Sequence, residues 1–436
     1  MKTLRNYIGG EWIAPSAADY LDLTNPATGE QLGKVPLSGA RDVDAAVSAA
    51  QTAFLKWREV PPVVRARYLF KLKFLMDQQF EDLAATVTRE HGKTLDESRG
   101  SVRRAIENVE HACGIPTLMM GKALEDVAAG IDCEYVRQPL GVFAAITPFN
   151  FPAMVPCWFW PYAIATGNTF VLKPSEQVPF SSTRILELVH EAGIPPGVLN
   201  MVHGAKDVVN ALLAHPGIAG ISFVGSSPVA RHVYTEAAKY GKRVQALGGA
   251  KNHVIVMPDA DMDRAVANIS ESLFGCAVIS AKHKEKVLSY VEAGRKEGAT
   301  LLLDGRATKV EKHPRGHFVG PTVFDGVQPD MTIGKEEIFG PVASVTHVSN
   351  LDEGIEMVQR SGFANATSIF TQSGKAAREF RYRVGVSMIG VNIGVAAPMA
   401  FFPFGGTKGS FFGDLKAHGQ DSIDFYTDKK VVISRW

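Results

Sequence analysis

Short, uninterrupted apolar runs alternate with amphipathic segments through the middle of the chain. Runs of this kind, bounded by turn residues, predict strands that are buried on both faces, and the amphipathic segments predict helices. Strands separated by helices form parallel sheets, whose ligands bind beyond the carboxyl ends of the strands. The predicted strands are 142–146, 169–172, 198–202, 220–224, 243–247 and 253–257, and the predicted helices start at 152 or span 181–192, 208–214 and 228–240.

Helical periodicity dominates the chain before this alternation, and a second α/β pattern follows it. Apolar residues at three- and four-residue spacing predict helices at 42–60 and from 63 to about 113, with a break at 89–93. We interpret the Gly- and Phe-rich stretch 401–413 as a loop. The second unit consists of predicted helices at 282–297, 352–360 and 375–383 and predicted strands at 299–303, 342–348, 366–370 and 388–392.

Two strand-like segments that are remote in sequence, 132–137 and 429–434, each carry one polar face. If they pair, they form a small sheet outside both α/β units. Two interpretations stay open at this point. The sheet either contacts another subunit, or the segments are a surface hairpin and a frayed tail.

Composition indicates an ordinary globular protein. The 436 residues suit two or three domains, and 46 Lys+Arg against 45 Asp+Glu leave no field to attract nucleic acid or an anionic membrane. The most apolar stretch, 154–166, is too short to span a bilayer and is interrupted by Pro156 and Pro161. Four cysteines without CxxC spacing argue against a disulfide framework or a metal site. With no secretory signal evident, we expect a reducing, cytoplasmic location.

The chain lacks a GxGxxG motif after its first predicted strand, and a different turn is the candidate phosphate site. Residues 223–228 place a glycine, the hydroxyl of Ser226 and a proline between a strand and a helix. A helix N-terminus at this place offers free N–H groups to a pyrophosphate. The alternative is a helix that is simply capped.

Four further residues, at three places in the chain, carry groups suited to a dinucleotide or to carbonyl chemistry. Lys173 and Glu176 follow the second strand, where they can bind ribose hydroxyls, and a carboxylate there favours NAD over NADP. Glu337 lies beside an apolar turn and can hold a second ribose. Asn150 can donate an amide N–H to an oxyanion. The alternative for Lys173 and Glu176 is a solvated ion pair. Glu337 is alternatively a surface acid, and Asn150 an Asx-turn residue.

Several motifs together resemble the aldehyde dehydrogenase superfamily over nearly the whole chain, and within it the CoA-acylating methylmalonate-semialdehyde dehydrogenases. The motifs are IENVE at 106–110, PFNFP at 148–152, GAKNH at 249–253 and FYT at 425–427. The resemblance implies an α/β fold with an NAD-binding domain (1–122 and 142–247) and an α/β catalytic domain (248–418). It also implies oligomerisation segments at 123–141 and 419–436, forming a small sheet in a homodimer or homotetramer.

The same resemblance implies roles for individual residues. Asn150 contributes to the oxyanion hole, and Arg104 holds a substrate carboxylate by a charge-assisted contact. Gly248 lies near the nicotinamide and Glu337 binds its ribose. The NAD site as a whole is lined by Thr147, Phe149, Lys173, Glu176, Gln177, Ser226, Gly248 and Glu337.

The implied reaction is NAD- and CoA-dependent oxidative decarboxylation. Methylmalonate semialdehyde gives propionyl-CoA and malonate semialdehyde gives acetyl-CoA, as in valine or inositol catabolism. A cysteine thiolate attacks the aldehyde, Asn150 stabilises the oxyanion, and hydride passes to NAD. The carboxylate of the thioester is lost as carbon dioxide or bicarbonate, and CoA takes the acyl group.

Two deviations from the family pattern qualify this expectation. Hydrolytic relatives carry a glutamate base where this chain has Ala246, so alanine favours CoA over water as acyl acceptor. Near 277/278, relatives continue with a Gly-x-Arg-Cys segment, a strand, a helix and a loop that are absent here. The nucleophilic cysteine and a second carboxylate-binding arginine are thereby absent, and Cys276 aligns before the nucleophile in an apolar setting. The alternatives are therefore a catalytically inactive NAD-binding remnant or a hydrolytic aldehyde dehydrogenase.

Overall fold

The structure is a computed structural model and describes residues 2–16, 19–274, 278–394 and 396–436. A short 3₁₀ turn at Pro156–Trp158 precedes the sixth helix. The helices are α1 (Ala40–Trp57), α2 (Pro62–Gln78), α3 (Phe80–His91), α4 (Leu95–Cys113), α5 (Ile115–Leu118), α6 (Trp160–Ala165), α7 (Phe180–Ala192), α8 (Lys206–Ala214), α9 (Ser227–Lys239), α10 (Met262–Phe274), α11 (Ala281–Lys296), α12 (Thr332–Lys335), α13 (Leu351–Arg360), α14 (Gly374–Arg383) and α15 (Gly419–Tyr426).

The strands alternate with these helices through most of the chain. They are β1 (Lys2–Thr3), β2 (Asn6–Ile8), β3 (Glu11–Ile13), β4 (Tyr20–Thr24), β5 (Gln31–Pro36), β6 (Lys122–Ala128), β7 (Ile131–Pro139), β8 (Val142–Ile146), β9 (Thr169–Lys173), β10 (Leu199–Met201), β11 (Ile218–Val224), β12 (Arg243–Leu247), β13 (His253–Val256), β14 (Thr300–Leu303), β15 (Thr322–Asp325), β16 (Val342–Ser344), β17 (Phe363–Ala364), β18 (Ala366–Phe370), β19 (Met388–Val391), β20 (Thr407–Lys408), β21 (Phe411–Gly413) and β22 (Thr427–Arg435).

The largest sheet has eight strands in the order β21-β12-β11-β8-β9-β10-β2-β3, and its five central strands are parallel. Alternate residues of β8 belong to different apolar clusters: Phe143 and Ala145 to one, Val142 and Ala144 to the other. Since successive side chains of a strand point to opposite faces, the sheet is covered on both sides. This confirms the predicted parallel α/β sheet.

Two predictions near this sheet were wrong. The helix expected from residue 152 begins only at Trp160, because Pro156 and Pro161 allow no more than a 3₁₀ turn before it. The stretch 401–413 is not entirely a loop. Phe411–Gly413 forms β21, which pairs antiparallel with β12 and so covers the edge of the large sheet.

The second half of the chain contains two separate three-stranded sheets, β13-β18-β19 and β14-β15-β16. The segments next to their edge strands, β13 and β16, approach each other at two places. A Cβ built on Gly249, before β13, is 2.5 Å from Glu337 Oε2, before β16. A Cβ built on Gly354 contacts both Ile255 and Val348, at 3.0 and 3.7 Å. Within the described residues, no strand joins the two sheets.

A third, small sheet has the order β22-β7-β6. The register pairs Lys429 with Arg137 and Ser434 with Asp132, which confirms the predicted pairing of these remote segments. Every residue of β6 is exposed in the single chain. In the described parts of the chain, no helix combines the length and the apolar character needed to cross a membrane.

Candidate active site

A cavity of about 1010 Å³ lies where the loops after β8, β11 and β12 meet the second half of the chain. Seven of the ten residues singled out from the sequence line it: Arg104, Phe149, Asn150, Gln177, Ser226, Gly248 and Glu337. The other three, Thr147, Lys173 and Glu176, are not among its lining residues. The structure therefore brings most of the predicted site into one space.

The N-terminus of α9 forms one part of the wall. Ser226 occupies the N-cap position in extended backbone conformation, and Pro228 lies in the first turn, as predicted. The Ser226 side chain makes no capping hydrogen bond. The first N–H groups of α9 thus have no side-chain cap, which suits them to an anionic ligand such as a pyrophosphate.

Lys173 and Glu176 do not line the cavity and bind each other, with Lys173 Nζ 2.7 Å from Glu176 Oε2. Lys173 is buried at the carboxyl end of β9, and its carbonyl oxygen accepts a hydrogen bond from Thr147 N at 3.1 Å. The three residues therefore form one unit at the ends of β8 and β9. A ribose hydroxyl has to share or replace the existing ion pair.

Glu337 lies at the junction of the two halves. Burial raises the pKa of Glu337, while a hydrogen bond from the Ala250 backbone and the charges of Lys286 and Lys251 lower it. Burial also lowers the pKa of Lys251 to about 8, and Lys251 Nζ donates to Ile333 O at 2.8 Å. A partly buried carboxylate in this position is a suitable acceptor for ribose hydroxyls.

Asn150 is held by its backbone. Its carbonyl oxygen accepts a hydrogen bond from Lys93 Nζ at 2.9 Å, and the same ammonium lies 4.0 Å from the centroid of the Phe151 ring. Asn150 Oδ1 is buried and has no hydrogen-bond partner among the described residues. The loop is thus positioned by Lys93, and the side-chain amide is left for a ligand.

Arg104 on α4 supplies a positive charge to the wall. Its Nη1 donates to Glu107 Oε2 at 3.1 Å and lies 2.9 Å from Met399 Sδ. The side chain is 34% exposed. A guanidinium has five N–H donors, so these two contacts leave several donors for a carboxylate.

Comparison with known proteins identifies the family. The profile described as "Aldehyde dehydrogenase family" matches residues 12–277 and 275–432. The chain is 51% identical to malonate-semialdehyde dehydrogenase 2 of Geobacillus thermodenitrificans over 479 aligned positions, covering 100% of this chain and 99% of the relative. This chain belongs to the aldehyde dehydrogenase family.

Solved structures agree with this aldehyde dehydrogenase assignment. A methylmalonate-semialdehyde dehydrogenase from Oceanimonas doudoroffii has a TM-score of 0.98 at 42% identity, covering 100% of this chain and 99% of that chain. A Sinorhizobium meliloti protein assigned as a methylmalonate-semialdehyde dehydrogenase, solved in complex with NAD, has a TM-score of 0.98 at 40% identity. That match covers 100% of this chain and 98% of the other. The expected aldehyde dehydrogenase-like fold is therefore confirmed.

For an aldehyde dehydrogenase, the described part of the site lacks a thiol. Burial raises the pKa of Cys113 to about 12, and burial also raises the pKa of Cys157. Cys133 lies in β7 of the small sheet. None of these three cysteines lines the cavity. Residues 275–277 are outside the described residues, so Cys276 and the predicted break at 277/278 fall there.

Ala246 is fully buried in β12 and packs within the apolar cluster that contains Val142 and Ala144. It does not line the cavity. This aldehyde dehydrogenase thus has a methyl group where a general base is expected in hydrolytic relatives.

Several lining or supporting residues were missed by sequence reasoning. The rings of His283 and Phe339 pack against Phe149, with centroids 5.9 and 5.6 Å away. Lys93 donates a hydrogen bond to the Asn150 carbonyl oxygen, and His418 lines the cavity beside Trp158. Each is an ordinary residue in its local sequence. Only the position of Lys93 in the polar break between two predicted helices gave any signal.

Proposed function

We propose that this chain is, by descent and by the design of its pocket, an NAD- and CoA-dependent malonate- or methylmalonate-semialdehyde dehydrogenase. One observation carries the proposal. A single cavity contains an uncapped helix N-terminus, the carboxylate of Glu337, the amide of Asn150 and the guanidinium of Arg104. These groups match a pyrophosphate, a ribose, an oxyanion and a carboxylate, in that order.

The residues of the cavity fit NAD. The N-terminus of α9 suits the pyrophosphate. A Cβ added to Gly249 would lie 2.5 Å from Glu337 Oε2, so a larger residue there would displace this carboxylate. Glu176, at the end of β9, disfavours the 2′-phosphate of NADP. When bound, NAD supplies the acceptor for the hydride of the aldehyde. The S. meliloti structure with NAD, at 40% identity, supports this choice of cofactor.

The substrate half of the cavity fits a short, acidic aldehyde. Arg104 binds the carboxylate, and Asn150 donates its amide N–H to the carbonyl oxygen as negative charge develops on it. Lys93 acts through Asn150, because its ammonium holds the Asn150 carbonyl and thereby the loop. The names of the malonate- and methylmalonate-semialdehyde relatives agree with a three- or four-carbon substrate.

CoA is the proposed acyl acceptor. Ala246 cannot activate water, which disfavours the hydrolytic alternative. For malonate semialdehyde the balanced reaction consumes NAD and CoA and yields acetyl-CoA, carbon dioxide and NADH. The corresponding product from methylmalonate semialdehyde is propionyl-CoA. We place this activity in the cytoplasm, in valine or inositol catabolism.

The domain assignment is likewise proposed. Residues 1–122 and 142–247 form the NAD-binding domain, 248–418 the truncated catalytic domain, and 123–141 with 419–436 the oligomerisation segments. Leu124, Val431 and Ile433 of the small sheet are 65%, 61% and 70% exposed in the single chain. Large apolar side chains in this arrangement suit a homodimer or homotetramer interface.

A second candidate function is an NAD-binding remnant without turnover. The alignment to the Geobacillus relative has 479 positions, more than the 436 residues of this chain, and the family match is divided at 275–277. We infer that an internal segment of the relatives has no counterpart here. According to the resemblance, that segment carries the nucleophilic cysteine, without which acyl transfer does not begin.

One set of assays separates these candidates. NADH formation is measured from malonate and methylmalonate semialdehydes, with and without CoA, beside calorimetric titration with NAD. CoA-dependent turnover supports the dehydrogenase, and NAD binding without turnover supports the remnant. Acid formation without CoA supports a hydrolytic enzyme, and absence of NAD binding by folded protein contradicts all three. Glu337→Gln is expected to weaken NAD binding, whereas Glu336→Gln serves as the matched control.

A further inference from the structure

His418 has a backbone conformation that is unusual for its residue type. It precedes α15 with φ 70° and ψ 175°, a region that glycine occupies readily and other residues rarely. Its neighbour Gly419 donates its N–H to Ala400 O at 3.0 Å, and His418 O accepts from Ser422 N at 3.1 Å. A strained residue held by its surroundings is a candidate for a functional role.

The imidazole of His418 is buried but unpaired. The residue is 3% exposed, and neither Nδ1 nor Nε2 has a hydrogen-bond partner among the described residues. His418 lines the same cavity as Asn150 and Arg104. Buried polar groups are normally hydrogen-bonded, so an unpaired imidazole on a cavity wall indicates a polar ligand.

The surroundings of His418 fix its orientation and leave it neutral. Its ring packs edge-on against Trp158, with centroids 4.8 Å apart, and against Phe404 at 5.7 Å. Burial lowers the pKa of His418 to about 3, and the charges of His111 and Arg104 act in the same direction. A neutral imidazole presents one N–H donor.

The same short segment of chain lies against both Arg104 and the residue after His418. Arg104 Nη1 lies 2.9 Å from Met399 Sδ, and Gly419 N donates to the oxygen of the next residue, Ala400 O, at 3.0 Å. Arg104 and His418 therefore line the same part of the cavity.

The geometry points to His418 as a second contact for the substrate carboxylate, which it shares with Arg104. Arg104 supplies the charge and His418 one N–H, so that the two oxygens of a carboxylate are both bound. The resemblance implies that relatives use a second arginine, located in the segment that is absent here. His418 is therefore a specificity-determining residue of this chain for short aldehydes that carry a carboxylate. This inference rests on the proposed function.

Binding measurements test the inference without any need for turnover. The probe is 3-hydroxypropionate, which retains the three carbons and the carboxylate of malonate semialdehyde but has an alcohol in place of the aldehyde. The neutral control ligand is 1-propanol. Both are titrated calorimetrically into the full chain in the presence of NAD. The variants are His418→Phe, His418→Asn and, as control, His203→Phe, since His203 is another buried histidine that does not line the cavity.

We expect His418→Phe to weaken 3-hydroxypropionate binding by at least about tenfold, because a hydrogen bond to a charged group is lost. His418→Asn restores an N–H and carries the same backbone strain as His418, so it should stay within about threefold of the wild type. NAD affinity should not change in either. Equal 3-hydroxypropionate affinity in His418→Phe overturns the inference, as does equal weakening in His203→Phe.

A measurement on the unaltered chain covers the case in which His418→Phe does not fold. The ¹⁵N resonances of the His418 ring should shift when 3-hydroxypropionate is added and stay unchanged with 1-propanol. No shift at saturating 3-hydroxypropionate overturns the inference. If NAD binds but 3-hydroxypropionate does not, this inference alone fails. If NAD does not bind to folded protein, the proposed function fails as well.

Discussion

The two α/β halves of this molecule contain the same kinds of elements but complete their sheets to different degrees. In the first half, all residues of β8 and β9 are buried and β21 covers the edge beside β12. In the second half, the edge strand β13 ends in an exposed valine, Val256, and an exposed valine, Val345, directly follows β16, at 38% and 40% exposure. Helix α10, which ends at Phe274 just before the predicted break, has Ala265 as its one buried residue.

This difference shows what a strand–helix segment contributes to a sheet. The two small sheets nevertheless approach each other. A Cβ added to Gly249 would lie 2.5 Å from Glu337 Oε2, and one added to Gly354 would lie 3.0 Å from Ile255 and 3.7 Å from Val348. No strand joins these sheets in the described part of the chain, and the apolar face of α10 has little to pack against. Met262 and Val266 remain 54% and 57% exposed. The segment that we infer to be absent would supply packing partners for α10 as well as the expected nucleophile.

The largest expected effect comes from closing the gap. Insertion of the segment of the Geobacillus relative between Ala277 and Val278 should raise CoA-dependent NADH formation by at least about three orders of magnitude, because it supplies the nucleophile. The thermal midpoint should also rise by several degrees as α10 and β13 become covered. Enzyme assays and calorimetry measure these changes.

A matched insert in which the cysteine is replaced by serine separates the two effects. It should raise the thermal midpoint to the same extent without restoring NADH formation. If the original chain is as active as the chain with the insert, the nucleophile lies elsewhere in the chain. The incomplete second half would then not limit activity.

A second prediction compares one residue of the closed sheet with one of the open edge. Phe143→Ala, in fully buried β8, should reduce the free energy of unfolding by about 3–5 kcal/mol. Val256→Ala, on exposed β13, should change it by about 0.5 kcal/mol or less. Urea unfolding followed by tryptophan fluorescence measures both. Similar losses at the two positions would show that the edge is covered in solution.

The pH dependence of stability should differ between the halves. In the first half, burial raises the pKa of Glu90 to about 7, although Ser181 and Phe180 donate hydrogen bonds to it. The folded state then binds the proton more tightly than the unfolded state, so stability falls as pH rises from about 4.5 to about 7. Lys251 at the junction, whose pKa burial lowers to about 8, has the opposite sign, and its contribution to stability rises between about pH 8 and 10.5.

Unfolding midpoints of Glu90→Gln and Lys251→Met, measured from pH 5 to pH 10, check this prediction. Each substitution should flatten the profile only in its own window. A profile that keeps its slope in Glu90→Gln between pH 5 and 7 would assign that slope to another group.

The smallest expected effect concerns the third sheet, which belongs to neither half. Ile433→Asp and Leu124→Asp place charge on exposed apolar positions of β22 and β6. They should lower the molecular mass measured by light scattering while leaving the fold of the single chain intact. If the mass is unchanged at all protein concentrations, the small sheet does not form the subunit interface.

Periodicity in the sequence determined the order of elements, because burial on one face of a helix or both faces of a strand leaves a local pattern. It placed the strands at 142–146 and 243–247 and paired the remote segments 132–137 and 429–434 correctly. It placed Ser226 before α9 for the same reason, since a hydroxyl between a glycine and a proline is a local signal. It was wrong at residue 152 and at β21, and it predicted no element for β1–β5, α10 or β15.

Tertiary structure decided what no local pattern encodes. How Lys93 holds Asn150, and that His418 lines the same cavity as Arg104, depend on contacts between residues remote in sequence. The open edges of β13 and β16 follow the same principle. A strand carries its own apolar pattern in the sequence, but the presence of a neighbour is a property of the folded sheet.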